Sequence, residues 1–486
     1  MRESRARIRL DPDRLLPWVC VVAGFGWVSA AALKLPAGDG DLLWQRWLGA
    51  RILHERAIPR ALGPETFSAA GAPWTPHEWL FSTALAFGMD RGVAWLLPLA
   101  CALAVGCALA AVVLRCRARG VSPVLSSAAV LVCVLATLQS FGVRAQVFGW
   151  AGLASVLWLL ELEGPGAWAA VPLTMVWANL HASAFLAPAV AVLFALAVAL
   201  RDRRWSREVA RRTALAAACG AATLATPLGL DLPRYAAALL TSPIRHSISE
   251  WGATSLASAA FMFGALPLLL VLVVFGVRTS LRDRLVAVAF GVLLFTAVRN
   301  VPVFAFAVAP IALAALPRGR AREDPQGPAR ALAWSTLGVA AFAAALLFVL
   351  PWQAAPARES TLPFGPARVL LDQARTPPRV FCEDFAWCSL FLAEAVPARF
   401  FMDGRCDPYP ADVWREYRDV LDGNRRWAAI LDRRRIDAVL VRRDGALDSL
   451  LAERSGIWRS IAADAHARLY VRPALIARSP AVPRGA

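Results

Sequence analysis

Acidic residues just beyond the first apolar segment are the first candidates for chemistry. Asp39 and Asp41 follow an apolar run that begins near Leu15, and His77 and Glu78 lie later in the same hydrophilic stretch. A carboxylate beside a membrane surface can coordinate a divalent cation or take a proton from a hydroxyl nucleophile. Asp41 and Asp39 are therefore candidate catalytic residues. They would also hold Mg²⁺ or Mn²⁺ if the site uses a metal.

Each of these acidic residues also has a structural interpretation. Asp39 and Asp41 can end the apolar segment and cap a helix that starts at Leu42, because aspartate favours helix N-termini. This interpretation suits Asp39 better than Asp41. His77 and Glu78 stand in a proline-bounded turn, where they either contact the acceptor substrate or hold the loop against the rest of the protein.

Three isolated arginines form a second group of candidates. Arg144, Arg245 and Arg299 stand at the ends of apolar segments, apart from the arginine clusters of other loops. A guanidinium group matches the oxygens of a phosphate, and ionisable groups at a membrane boundary are costly unless they face a cavity or a partner. We predict that they bind an anionic substrate. The alternative is that each extends to the interface or pairs with a nearby acid.

Three further residues complete the predicted substrate site. His181 is expected either to bind a hydroxyl or phosphate group or to pack within the helices through a hydrogen bond. Glu250 and Trp251 would offer a carboxylate and a stacking face to a sugar. Trp251 is equally interpretable as an interfacial anchor.

Composition identifies the elements that must position these residues as membrane helices. The chain is 58% hydrophobic and 18% charged, with a mean hydropathy of +0.52, which excludes an ordinary water-soluble domain. Apolar stretches long enough to cross a bilayer recur as far as about residue 350. We predict about eleven spans, near residues 15–34, 93–114, 121–141, 146–160, 166–181, 183–200, 212–228, 256–277, 284–298, 300–316 and 331–350.

The arginine distribution predicts the orientation of these spans. With the N-terminus in the cytoplasm, the arginine-rich segments at 115–119, 201–212, 278–284 and 317–324 all fall on the cytoplasmic side. The net charge of +17 is thus explained by topology, and no nucleic-acid partner is expected. Loops at 35–92 and 229–255 and the C-terminal region then lie outside. The expected location is a bacterial inner membrane, crossed many times.

The residues after the last span predict a small outer domain of α/β type. Strand-like runs near 377–382, 398–404, 437–443, 458–464 and 467–473 alternate with helical stretches at 411–423 and 424–435. The expected division is a membrane domain at 1–351, which includes the first outer loop at 35–92, and a periplasmic domain at 352–486. Two of Cys382, Cys388 and Cys406 could form a disulfide there, most simply the first two, although spacing alone does not choose.

Several motifs resemble a known superfamily. They are DLLWQRWLGARIL at 41–53, PETFSAAGAPWTPHEWL at 64–80, RAQVF at 144–148, WANLH at 177–181, SEW at 249–251 and MDGR at 402–405. Together they resemble bacterial membrane proteins of the GT-C glycosyltransferase superfamily, whose relatives include protein mannosyltransferases and lipid A aminoarabinose transferases. The resemblance implies a mainly α, polytopic helix bundle with a small C-terminal α/β domain.

The same resemblance implies an activity. It suggests an inverting transferase that moves a sugar from a polyprenyl-phosphate donor to a glycan, lipid or protein acceptor on the outer face, with Asp41 as base or metal ligand and Asp39 as its neighbour. The family commonly has two adjacent acidic residues here, whereas Gly40 separates these two. The alternative is a non-catalytic protein of this fold, or a transporter or assembly factor for lipid-linked saccharides. Transport would favour internal repeats and charges deep within the spans, and the sequence has no evident repeat.

Overall fold

A computed structural model describes residues 15–24, 40–138, 140–162, 164–241, 248–317, 362–374, 376–393 and 398–475. The first thirteen helices are α1 (Leu15–Gly24), α2 (Gly40–Glu55), α3 (Trp79–Asp90), α4 (Leu96–Ala118), α5 (Pro123–Ala136), α6 (Gln146–Glu161), α7 (Ala170–Leu180), α8 (Leu186–Asp202), α9 (Arg207–Ala222), α10 (Asp231–Thr241), α11 (Leu266–Phe275), α12 (Leu281–Leu294) and α13 (Asn300–Ala315). A π-helical turn, Phe261–Ala265, precedes α11.

Three of these helical segments are long and apolar enough to cross a membrane: Leu96–Ala118, Ala182–Asp202 and Phe261–Arg278. Shorter apolar helices accompany them at Leu15–Gly24, Pro123–Ala136, Gln146–Glu161 and Asn300–Ala315. A multi-pass membrane protein is therefore indicated. The predicted number of eleven spans is not confirmed, because most of the helices are shorter than the expected segments. The eleventh, at 331–350, lies outside the described residues.

The chain divides into two compact units, and the first is helical. It comprises the described parts of Met1–Lys34, Trp95–Leu240 and Arg245–Ala355. Its centre is α13, which packs against α4, α5, α6, α11 and α12. Most of the side chains of α13 are buried, whereas α11 and α12 expose large apolar residues such as Val273 and Val292. This pattern is typical of a membrane bundle, in which a central helix is buried and the helices around it expose apolar side chains.

The second unit combines the first hydrophilic loop with the C-terminal residues. It comprises the described parts of Leu35–Ala94 and Pro356–Ala486 together with Thr241–Ile244. Its elements beyond α2 and α3 are α14 (Phe364–Gln373), β1 (Arg379–Cys382), α15 (Phe385–Ala393), β2 (Arg399–Phe400), α16 (Ala411–Leu421), α17 (Trp427–Arg433), β3 (Ala438–Arg442), α18 (Ala446–Ala452), β4 (Arg459–Ala463) and β5 (Ala467–Val471). The predicted small α/β domain is confirmed. Its expected boundary near residue 351 lies outside the described residues.

The sheet has five strands in the order β2-β1-β3-β5-β4. β1 pairs in parallel with β2 and β3, while β5 is antiparallel to both β3 and β4. β3 is buried at four of its five positions, as expected for a central strand that is covered on both faces. The carboxyl ends of β1, β2 and β3 meet at one edge, so the segments that follow them share that edge.

The first hydrophilic loop extends this sheet beyond β2. Thr66 forms a parallel bridge to Phe400, and the backbone N–H of Phe400 donates to the carbonyl of Glu65 at 2.8 Å. The Ser68 hydroxyl donates to the carbonyl of Phe401. The loop residues thereby cover an edge that would otherwise present unpaired backbone groups.

Helices α2 and α3 of the same loop approach each other closely at a glycine. A Cβ atom on Gly49 would stand 1.9 Å from the carbonyl oxygen of Ser82, so only glycine fits there.

On the C-terminal side of this unit, Cys382 and Cys388 form a disulfide, the simplest of the pairings left open by the sequence. Cys406 is free and buried.

Candidate functional site

Two of the predicted substrate-binding residues meet near the N-terminus of α6. Arg144 lies just before α6, and its Nη1 donates to the carboxylate of Glu250. The two residues are 106 positions apart in sequence, and both side chains are partly exposed, at 27% and 37%. The structure thus brings together two sequence candidates from separate segments. The alternative predicted for Arg144, pairing with an acid, holds in this structure.

Arg299 and Trp251 lie in the same cluster. The guanidinium of Arg299 stacks over the Trp251 ring, with Cζ 4.4 Å from the ring centroid, and its Nη2 donates to Oε1 of Gln146 at 3.2 Å. The backbone N–H of Arg299 donates to the carbonyl of Glu250 at 3.3 Å. Trp251 therefore orients a cation, in the geometry of a cation–π contact. We call Arg144, Gln146, Glu250, Trp251 and Arg299 the arginine cluster.

Charge distinguishes the two arginines of the cluster. Arg144 has a carboxylate partner, whereas Arg299 forms no salt bridge within the part of the chain that the structure describes. Arg299 also precedes the first residue of α13, where the positive end of the helix dipole adds to its charge. Of the two, Arg299 is the better suited to an anionic ligand.

His181 is buried at the C-terminal end of α7. Its Nδ1 accepts the backbone N–H of Ser183 at 3.1 Å and lies 2.7 Å from the Ser183 hydroxyl, which in turn accepts from the indole of Trp177 at 3.2 Å. Because Nδ1 accepts a hydrogen bond, the neutral ring carries its proton on Nε2. The structural interpretation of His181 as a hydrogen-bonded packing residue thus has direct support, and its substrate role stays a prediction.

Asp41 occupies the first turn of α2 in the second unit. The helix begins at Gly40, so Asp41 lies inside it and is not the residue that caps a helix starting at Leu42. Its Oδ1 accepts the indole N–H of Trp44 at 3.3 Å, and the residue is partly exposed. A carboxylate is a side chain that can act as a general base.

Glu78 links the two helices of the loop. Gln45 on α2 donates its side-chain amide to Oε2 of Glu78, the residue before α3. His77 Nε2 stands 3.5 Å from Oε1 of the same carboxylate. Glu78 thus joins α2 to α3 within the loop, and the alternative that it holds the loop against the rest of the protein stays a prediction. The predicted contact of His77 and Glu78 with an acceptor also stays a prediction.

The MDGR motif forms a buried ion pair after β2. Arg405 donates from Nε and Nη2 to Asp403 at 3.0 and 2.6 Å, and Nη1 reaches Glu65 of the first loop at 3.4 Å. Its Cζ lies 5.1 and 4.9 Å from the ring centroids of Trp47 and Trp74. Two acids and two indoles therefore satisfy this arginine, and the motif joins the loop to the sheet.

Glu383 follows β1 at the shared strand edge. Its Oε2 accepts the backbone N–H of Arg442 at 2.7 Å, and burial raises the pKa of its carboxyl above the usual value. A raised pKa in the folded state means that the unfolded chain releases this proton first as the pH rises. Glu383 therefore favours the folded state in acid, and that contribution is lost as the pH rises through the raised pKa.

Replacing Glu383 with glutamine should change the pH dependence of stability. The amide oxygen can still accept from Arg442, and no charge has to be buried. We expect the melting temperature of Glu383→Gln to rise relative to the wild type between about pH 4 and about pH 7. Differential scanning fluorimetry of the purified protein measures this. A difference in melting temperature that stays constant with pH would contradict the assignment.

Two predicted site residues, Asp39 and Arg245, lie outside the described residues. The sequence interpretation did not select two residues that contact the predicted ones: Gln146, which contacts Arg299, and Glu65, which contacts Arg405. Both stand inside motifs quoted above, RAQVF and PETF. The only feature of the sequence that could have identified them is that each is a polar residue within a motif. The sequence does not indicate the distant partner of either residue.

Comparison with solved structures reveals the fold. The chain superimposes on the archaeal oligosaccharyltransferase AglB from Archaeoglobus fulgidus, solved with an inhibitory peptide and a dolichol-phosphate, with a TM-score of 0.56, 11% identity, and coverage of 88% of this chain and 69% of that one. The chain shares the fold of this oligosaccharyltransferase, which is a GT-C superfamily glycosyltransferase. Two more structures of the A. fulgidus enzyme match. One is tethered to an acceptor peptide with the NVT sequon and has a TM-score of 0.53, 10% identity, and coverage of 88% of this chain and 69% of that one. The other is in the apo form and has a TM-score of 0.52, 12% identity, and coverage of 88% of this chain and 70% of that one.

The GT-C resemblance proposed from the sequence motifs is thereby confirmed at the level of the fold. No protein-family model matches the sequence, and no curated protein matches it either. With identities of 10–12%, the GT-C fold carries no information about substrate. The activity has to be argued from the residues of this chain.

Proposed function

We propose that the protein is a glycosyltransferase that moves a sugar from a polyprenyl-phosphate donor to an acceptor on the outer face of a bacterial inner membrane. The observation that carries this proposal is the arginine cluster, in which four residues selected from sequence for phosphate and sugar binding come together. The fold adds support, because one solved neighbour was obtained with a dolichol-phosphate and another with an acceptor peptide.

The cluster would bind the phosphate of the donor. Arg299 is pre-oriented by the Trp251 ring and by Gln146, so little side-chain entropy is lost when it binds an anion. Arg144 would exchange Glu250 for the phosphate, because both are anionic partners for the same fork. Glu250 released in this way could accept hydrogen bonds from sugar hydroxyls, as predicted from the sequence.

Asp41 would act as the general base that deprotonates the acceptor hydroxyl or amide. Its carboxylate accepts a hydrogen bond from the indole of Trp44, which steadies the side chain. Inverting transfer needs such a base, since the acceptor attacks as the donor phosphate leaves. Asp39 is proposed as its neighbour, and the pair would hold Mg²⁺ or Mn²⁺ if transfer requires a cation. His77, Glu78 and His181 are proposed substrate contacts, and Arg245 a further phosphate ligand.

The deciding experiment is a transfer assay with the purified full-length protein in nanodiscs. Radiolabelled polyprenyl-phosphate sugars are offered with glycan, lipid and peptide acceptors, and product and hydrolysed sugar are measured with and without a chelator. The proposal expects product formation with at least one donor. If the protein is inert across the panel while labelled saccharide crosses a vesicle membrane, the transporter alternative is correct instead.

Substitutions of Arg299 test its proposed contact with the donor phosphate. We expect Arg299→Gln to raise the KM for the donor roughly tenfold or more, because a charge-assisted, bidentate contact with phosphate is lost. Arg299→Lys should recover only part of the lost donor affinity, since lysine keeps the positive charge but not the bidentate guanidinium geometry. Arg234→Gln, which alters an exposed arginine paired with Asp231, serves as the control. Equal KM values for all three variants would remove Arg299 from the donor site.

A further inference from the structure

A partly open cavity of about 990 Å³ lies within the first unit. Four arginines and two glutamates provide its charged lining: Arg201, Arg211, Arg212, Arg282, Glu161 and Glu208. The four arginines come from 201–212 and 278–284, two of the segments whose arginine content predicted the cytoplasmic side. The structure therefore brings these separate loops together around one space, a grouping that the topology argument alone does not require.

The cavity and the arginine cluster lie at opposite ends of α6. Glu161 ends this helix and lines the cavity, whereas Gln146 begins it and contacts Arg299. The helix has 16 residues, which corresponds to roughly 24 Å. No residue of the arginine cluster lines the cavity, so a ligand bound here would occupy a separate site from the proposed donor phosphate.

The cavity has an excess of positive charge because its carboxylates are shared. Glu208 accepts from both Arg211 and Arg212 at 2.7–2.8 Å. Glu161 accepts from Arg115 at 2.9 Å and also from Arg119. Arg201 and Arg282 pair with Asp202 and Asp283. Counting these partners, the four lining arginines with Arg115 and Arg119 stand against four carboxylates, which leaves two positive charges, and such a concave basic surface attracts anions.

The remaining wall of the cavity is apolar. Phe194, Val198 and Leu281 line it, and the guanidinium of Arg282 lies 5.2 Å from the centre of the Phe194 ring. A ligand with a charged head and an apolar chain would match both parts of this lining.

We propose that this cavity binds a phosphate headgroup, with an anionic phospholipid as its source. Arg201 and Arg282 would contact the phosphate directly, because their side chains are exposed at 67% and 33%. The phosphate would take the place of Asp202 and Asp283, with which they pair in this structure. Arg211 and Arg212 would supply the surrounding positive potential while remaining paired with Glu208. The first part of the acyl chains would lie against Phe194, Val198 and Leu281. A soluble phosphate compound shares the headgroup chemistry but lacks the chain.

Native mass spectrometry of the full-length protein in detergent tests this, with phosphatidylglycerol as the probe and glycerol phosphate as its soluble counterpart. We expect the wild type to bind phosphatidylglycerol, and Arg201→Gln/Arg282→Gln to weaken that binding about tenfold. The control, Arg207→Gln/Arg284→Gln, removes the same charge from exposed arginines of α9 and α12 that do not line the cavity. It should lose less than about threefold.

Three results would overturn the proposal. They are no binding of phosphatidylglycerol to the wild type, equal losses in the two double variants, and glycerol phosphate binding as tightly as the lipid. The first two exclude the site and the third excludes the lipid source. If the cavity double variant is not monodisperse on size exclusion, Arg201→Gln alone is used, because that side chain is 67% exposed. It should still bind phosphatidylglycerol more weakly than Arg207→Gln does.

Discussion

Asp41→Asn is expected to lower the rate of sugar transfer about a thousandfold. General base catalysis contributes roughly 10²- to 10⁴-fold, and asparagine keeps the size of the side chain and an oxygen that can accept from Trp44. Folding should be little affected, since a charge in the first turn of a helix contributes only about 0.3–1 kcal/mol. The measurement is kcat at saturating donor and acceptor, together with the melting temperature.

Asp90→Asn is the matched control for this prediction. Asp90 is the last residue of α3 in the same loop and is exposed, so the substitution removes one carboxylate from the same unit without touching Asp41. Its kcat should stay within about twofold of the wild type. If Asp41→Asn retains more than a third of the wild-type kcat, Asp41 is not the general base. Glu78 would then be the candidate for that role.

The second large effect concerns Arg115, which is completely buried at the end of α4. Its Nη1 and Nη2 donate to the carbonyls of Phe306 and Ala307 at 2.9 and 3.0 Å, and Nε donates to Glu161 at 2.9 Å. The carbonyl of Phe306 would normally accept from residue 310 in the next turn of α13. That residue is Pro310, which has no N–H to donate. Arg115 therefore supplies the missing donor.

Arg115→Met should lower the free energy of unfolding by about 2–4 kcal/mol, because it removes one of the two arginines that donate to the buried Glu161 and leaves the carbonyl of Phe306 without a donor. Adding Pro310→Ala restores an N–H opposite Phe306 and should recover about 1 kcal/mol in the Arg115→Met background. Pro302→Ala in the first turn of α13 should recover nothing, since the N–H there has no partner within the helix. Thermal unfolding in detergent provides the comparison. Strictly additive effects of the Arg115 and Pro310 substitutions would refute the replaced donor.

Local pattern predicted much of this fold. Alternating apolar runs marked every strand of the sheet, and ADVWREYRDVLDG marked α16, because a period of two or 3.6 residues is visible within a short window. The first ten apolar segments likewise coincide with helices. Their lengths were overestimated, since hydropathy does not show where a helix ends and a turn begins. Part of the predicted outer loop at 229–255 forms α10 instead.

Distant pairing could not be predicted in the same way. Arg115 belongs to a cluster that the sequence assigned to a cytoplasmic loop, yet it is buried against carbonyls 191 and 192 positions away. Arg299 and Gln146 are 153 positions apart. Arg299 was predicted to bind an anion, whereas the segment with Arg115 was interpreted only as a topology signal, and only the packed structure shows the partner of each arginine.

The contact between the first loop and β2 has a consequence for the order of folding during synthesis. Ser68 and Phe401 are 333 residues apart, so at 5–20 residues per second the loop would wait roughly 20–60 s for its strand partner to leave the ribosome. Throughout that interval the second unit lacks its sheet. A nascent chain interrupted before residue 399 would carry Thr66 and Ser68 with no β2 to pair with, a state that quality-control proteases can recognise.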